Sequence, residues 1–210
     1  IVNMGVISNG TTLLDAGAID SGVPTGSMTL IKTLTASSSG TLSFVNGASN
    51  VVLDGTYKQY VFKFIDIHTA SSANLEFNAT TNGSDFNITK TSNAFYAGHR
   101  EDASGAAIGY SGVDEAQATG FQQITTGDNV AIDNDSSIVG TLDIFNPSDT
   151  TFVKHFRSTT TFMGIDGSVR SSNSGYVAGY FNTTSALTGF QFKIRSGNID
   201  SGIIKLYGIK

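Results

Sequence analysis

The chain has 210 residues, a formal net charge of −5, only 14% charged residues and no cysteine. That length fits one domain burying roughly 70% of its unfolded surface without a covalent staple, and the missing cysteines exclude disulfides, thiolate metal sites and cysteine nucleophiles. The 12 basic residues are scattered singly, against a grip on phosphate backbone, and no apolar run approaches the ~20 residues of a bilayer-spanning helix, so neither nucleic acid binding nor membrane insertion is expected.

Residues 1–26 carry turn signals every few positions (Ser8-Asn9-Gly10-Thr11, Asp15-Ala16-Gly17, Asp20-Ser21-Gly22) and little to bury beyond Val6-Ile7 and Leu13-Leu14. This pattern predicts an arm or linker ahead of a domain over 27–210. Strand-like runs then recur at 27–35, 41–45, 59–68, 74–79, 86–90, 95–98, 108–110, 121–125, 140–145, 152–158, 175–181, 189–195 and 202–209, with Gly, Asn, Asp and Ser between them. No window sustains a 3.6-residue apolar period; residues 114–118 offer at most one turn. Many short strands at regular spacing predict an all-β fold, an antiparallel jelly-roll-like β-sandwich with an extended N-terminal arm.

The alternation breaks in one run. Tyr60, Phe62 and Phe64 share a face, while Ile65 and Ile67 fall on the other. Either a bulge shifts the parity near Phe64 or the strand is covered on both sides, and the second option makes Tyr60, Phe62, Phe64, Ile65 and Ile67 a candidate subunit interface. The C-terminal stretch is the clearest: Phe190, Phe192 and Ile194 alternate with polar residues, 196–202 supplies a turn, and Ile203-Ile204-Lys205-Leu206-Tyr207-Gly208-Ile209 resumes a strand.

Three sets of residues carry a family resemblance. Leu30-Ile31-Lys32-Thr33-Leu34-Thr35 with its Ser-rich turn precedes a Tyr-x-x-Tyr-x-Phe strand (Tyr57, Tyr60, Phe62); Asn146-Pro147-Ser148-Asp149 leads into Phe152-Val153-Lys154-His155, with Tyr176-Val177-Ala178-Gly179-Tyr180 beyond; and Gly202 to Gly208 closes the pattern. Together they resemble a domain of structural proteins of marine tailed bacteriophages, over roughly residues 28–210. The resemblance implies a non-enzymatic virion component, a tail-fibre or head-fibre/decoration domain, homo-oligomeric and usually trimeric, that assembles with other virion proteins and displays loops outward; a host surface glycan is a further partner expected from the residues below. It carries no catalytic residues and implies no cofactor. The alternative is a carbohydrate-binding module or depolymerising tail spike.

Chemistry-bearing side chains cluster in one place. Tyr96, His99, Arg100, Asp102 and Tyr110 combine aromatic faces with planar hydrogen-bonding groups, the set needed to stack on a sugar and bond its hydroxyls, and they are expected on one loop. Glu101 and Asp102 make a poor hydrolase pair, because adjacent strand residues point to opposite faces. Asp66 and His68 at strand spacing lack a third metal ligand, and His155 reads as an outward polar residue. Asp128, Asn129, Asp133, Asn134 and Asp135 make an oxygen-rich loop without the EF-hand glycine and glutamate, so a solvated turn is preferred to a calcium site.

Overall fold

A computed structural model describes residues 27–210 and, ahead of them, three short strands, β1 (Val6–Ser8), β2 (Thr11–Asp15) and β3 (Ala18–Ile19), paired antiparallel in that order. The arm expected over residues 1–26 otherwise lies outside the described residues. The remaining strands are β4 (Met28–Ser39), β5 (Leu42–Val45), β6 (Gln59–Thr69), β7 (Leu75–Thr80), β8 (Lys90–Arg100), β9 (Ala106–Tyr110), β10 (Gln122–Gln123), β11 (Asn129–Val130), β12 (Ile138–Phe145), β13 (Lys154–Asp166), β14 (Val169–Phe181), β15 (Gly189–Ile194) and β16 (Ile199–Ile209). Among the described residues there is no helix, and 114–118 is irregular chain that ends in an antiparallel bridge between Ala118 and Lys90.

The strands build an antiparallel β-sandwich. One sheet has four strands in the order β10-β7-β15-β5; the other has nine, β4-β16-β6-β12-β13-β14-β8-β9, with β11 joined to β13. Period-two alternation decides what lies between them. Phe77, Phe190 and Phe192 from the small sheet meet Tyr60, Phe62, Phe64 and Phe156 from the large one, all no more than 2% exposed. Their rings pack mostly edge to face, Phe62 lying 4.9 Å from Phe192 and Phe77 5.3 Å from Phe156, the arrangement ring quadrupoles favour.

The broken alternation in β6 is a bulge. Asp66 takes a positive φ of 47°, and the register with both neighbours, β12 and β16, slips there. The slip returns Ile67 to the interior, where it is fully buried, and leaves Ile65 half-buried on the outer face. Tyr60, Phe62, Phe64 and Ile67 are therefore covered by their own chain's second sheet, and the subunit interface expected on them is corrected to intramolecular core. The Tyr-x-x-Tyr-x-Phe strand is structural in the same sense. Tyr57 stacks edge-on at 5.7 Å to Tyr60 and lies over Gly208, where an added Cβ would come 2.3 Å from the ring.

Two other boundaries move for local reasons. Asn82 Oδ1 accepts from the N–H groups of Ser84 and Asp85 at 3.0 and 2.9 Å, turning the chain so that the strand expected at 86–90 begins only at Lys90. Likewise Asp149 Oδ1 accepts from Thr151 and Phe152 N–H at 2.6 and 2.7 Å, which keeps Phe152 in a turn and starts β13 at Lys154.

Candidate functional site

The aromatic and charged cluster sits on a hairpin rather than a loop. β8 runs through to Arg100, turns over 101–105 with Arg100 N–H donating to Gly105 O at 2.9 Å, and returns as β9 in the register Phe95↔Tyr110, Tyr96↔Gly109, Ala97↔Ile108. Alternation then divides the five expected ligand residues. Tyr96 and Arg100 share the inner face with buried Ala94, whereas His99 lies on the outer face with Phe95, as Tyr110 does on β9.

On the outer face Phe95 stacks on Tyr176 at 4.7 Å and 22°. Each ring gives one face to the other, and Phe95 stays 45% exposed. Tyr110 donates from its hydroxyl to Asp114 Oδ2 at 3.0 Å, and that bond raises its ionisation above the usual phenol range. Asp102, in the turn, accepts from Ser104 N–H at 2.9 Å, and bonding to Ser104 lowers its carboxyl below the ordinary value. Tyr110 and Asp102 thus stand apart from Tyr96 and Arg100, and Glu101 borders a separate cavity of about 280 Å³.

The inner face holds the larger cavity, about 400 Å³, lined by Tyr96, Arg100, Asp128, Asp166, Ser171 and Asn173, with His99 at its wall. It exists because the small sheet stops short. After β10 pairs with β7, Ile124 N–H donates to Leu75 O at 2.9 Å and residues 124–130 continue beyond the small sheet as a polar cover over β13, β14 and β8. Thr160 Oγ1 donates to Ile124 O at 2.7 Å, Thr126 Oγ1 to Phe95 O at 3.2 Å, and β11 pairs with the end of β13.

Inside this overhang a polar trio is locked together. Ser171 Oγ donates to Asp128 Oδ2 at 2.5 Å, and Asn173 Nδ2 donates to the same oxygen at 3.3 Å and to Ser171 Oγ at 2.7 Å. Ser171 and Asn173 are each only 2% exposed. Space for the Asn173 amide comes from glycines: an added Cβ would lie 2.7 Å from Oδ1 at Gly98, 3.1 Å from it at Gly127, and 2.3 Å from Nδ2 at Gly164. Across the cavity Arg100 forms an ion pair with Asp166.

The oxygen-rich loop does not gather around one point. Asp128 turns to Ser171 and Asn173, Asp133 pairs with Arg170, and Asn129 Oδ1 accepts from Asn74 Nδ2 at 2.9 Å. Among the described residues no three His, Cys, Asp or Glu side chains converge to hold a metal ion, around Asp66 and His68 included. Sequence reading finds Tyr96, His99 and Arg100 of the cavity wall and misses Asp166, Ser171 and Asn173; it takes Asp128 for a solvated turn. A sequence-level signal for the missed pair exists in Ser171-Ser172-Asn173, two small polar residues at strand spacing on what becomes an inner face.

No family model, curated protein or solved structure matches this chain.

Proposed function

We propose that the chain is a bacteriophage virion structural protein, a tail-fibre or head-fibre/decoration domain on the particle surface, without enzymatic activity, that binds a host surface glycan through the overhang cavity. A jelly-roll-like wiring of its two sheets, a homotrimeric state and contacts with other virion proteins belong to the same reading. One observation carries it: the resemblance begins at about residue 28, and the sandwich begins at Met28 with β4. The quoted motifs also meet in space, Tyr57 of the first lying over Gly208 of the last. Surface chemistry agrees, since exposed Thr159, Thr161, Ser172 and Ser174 give the large sheet a neutral hydroxylated outer face suited to display.

A free carbohydrate-binding module would use the same cavity, and the two roles separate by location. Gold-labelled antibody on intact particles, viewed by electron microscopy, is expected to decorate head or tail; particles free of label would overturn the virion reading. A depolymerising spike is favoured less, because Asp128 and Asp166 are each committed to structural partners. With the Tyr60 strand in the core, a trimer has to use other surfaces, and Phe95, Ile108 and Tyr110 are exposed together on the β8–β9 hairpin. Light scattering is expected to give three times the 22.0 kDa chain mass; a monomer mass removes the trimer.

A further inference from the structure

The geometry points to one ligand class for the overhang cavity: we propose that it takes a single uncharged pyranose ring, a neutral hexose at a chain end or branch of a polysaccharide. The inference rests on the surface-display reading above and names the ligand for the same site.

Charge decides between sugar classes. Arg100 contributes one positive charge and is matched by Asp166, while Asp128 adds a second negative charge, so the Arg and Asp side chains of the wall sum to about −1. A sialic acid, a uronate or a phosphorylated sugar would bring a negative charge to a wall with no unmatched cation and would meet repulsion. A neutral ring meets none.

Hydrogen bonding is arranged for hydroxyls. Both donors reaching Asp128 fall on Oδ2, and Oδ1 receives no bond from the described residues. A carboxylate fixed by two donors thereby keeps one acceptor in a set orientation, and a sugar hydroxyl is the neutral donor that suits it. The support is rigid, because Ser171 and Asn173 are buried and three glycine backbones crowd the amide. Little ordering is left for the ligand to bring about.

Tyr96 supplies the apolar wall. Its half-buried ring lies against Gly109 of the facing strand and Gly127 of the cover, 3.4 and 3.2 Å from where a Cβ would stand, which holds it in place beside the polar trio. A pyranose has a C–H face for such a ring and equatorial hydroxyls for the carboxylate. At about 400 Å³ the cavity lies at the small end of the roughly 300–1,000 Å³ spanned by small-molecule sites, which favours one ring over an extended oligosaccharide.

The test is titration of the purified protein, followed by saturation-transfer NMR, with methyl α-D-glucopyranoside, methyl α-D-galactopyranoside and methyl α-D-mannopyranoside, and in parallel with N-acetylneuraminic acid and glucuronate. At least one neutral glycoside is expected to bind with a Kd on the order of 1 mM, and the acids more weakly. Asp128→Asn is expected to weaken that binding about tenfold. Should this variant melt early, Tyr96→Leu, which keeps an apolar side chain but removes the aromatic face, gives an independent reading and is expected to lose binding too. Failure of all three neutral glycosides, tighter binding of an acid, or wild-type affinity in both variants would overturn the proposal. The outcomes stay separable from those of particle labelling. Labelled particles with no sugar bound sink this inference alone, and a bound sugar with unlabelled particles sinks the virion reading while the cavity's ligand stands.

Discussion

The inner face of the large sheet changes character along its length. Under the small sheet, β13 and β14 present Phe156, Val177 and Phe181, and the interior is a continuous aromatic pack. Past Thr160 and Gly175 the same two strands present, after a last buried ring at Phe162, Gly164, Ser171 and Asn173, and the cover is a polar segment instead of a sheet. The backbone hydrogen-bond register runs unbroken through both halves, from Lys154↔Phe181 to Asp166↔Val169. Sheet pairing alone therefore does not make a core; the opposing layer does, and where that layer stops short the strands carry buried polar side chains such as Ser171 and Asn173.

The covered half should yield the larger effects. Phe192 touches the rings of Phe44, Phe62, Phe64 and Phe77, so Phe192→Ala is expected to cost about 3–5 kcal/mol in urea unfolding. A loss below ~1 kcal/mol would mean that the aromatic pack does not hold the sheets together.

Gly164→Ala probes the overhang at its tightest point, with a Cβ 2.3 Å from Asn173 Nδ2 and 3.0 Å from Ser171 Oγ. A cost of about 1–3 kcal/mol is expected from displacing the trio, along with lost sugar binding. If stability and binding both persist, the trio is looser than described.

A third test uses pH at the end of the covered half. Lys154 and Lys90 flank Phe181 from neighbouring strands, both fully buried. Their Nζ atoms donate to carbonyl oxygens, Lys154 to Ser185 at 2.7 Å and Lys90 to Gly120. Burial lowers the Lys90 ammonium from 10.5 to about 8, with Glu115 and Glu76 opposing, and lowers Lys154 in the same direction. Between about pH 8 and pH 10 the unfolded chain then binds more protons than the folded one, so stability rises with pH, by on the order of 1 kcal/mol per unit. Above pH 10 buried Tyr60, raised from 10.0 to about 12 chiefly by desolvation, reverses the trend, because the unfolded phenol ionises first. Urea midpoints are expected to peak near pH 10, and Lys90→Met should flatten most of the rise. Midpoints that fall steadily from pH 8 would contradict this.

The smallest effect belongs to the cavity rim. Arg100→Ala breaks a partly exposed ion pair with Asp166 and is expected to cost less than about 1 kcal/mol in thermal melts. A larger cost would make the rim part of the core.

What the sequence disclosed follows the same division. The all-β class and nearly every long strand were legible, because apolar residues at period two mark strands facing a covering sheet, as Phe190, Phe192 and Ile194 do in β15. In the overhang that signal fades: β8 continues past the expected run at 95–98 through His99 and Arg100 with nothing apolar to announce it, so the end of the hairpin reads as a loop. Tyr110 was grouped with Tyr96 by proximity along the chain, although strand direction sends the two to opposite faces. Asp128 and Asn173 lie 45 positions apart and meet only through tertiary structure. The interface expected on Tyr60, Phe62, Phe64 and Ile67 gives way to core through a single bulged residue, Asp66, whose positive φ has no reliable signature in sequence, while Ile65 alone stays on the outer face.

The place of β16 has a consequence for biosynthesis. It lies between β4 and β6, and β4 has no other partner in the large sheet. The first strand of the sandwich to leave the ribosome must therefore wait for the last, some 170 residues later by register (Thr33↔Lys205), before it has a neighbour. Contacts that distant in sequence make closure slow, and a chain interrupted before Ile199 would expose the edge of β6 and leave β4 unpaired, a form open to aggregation or proteolysis. Synthesis of β16 is thus the condition for closing the large sheet, since it alone joins β4 to β6.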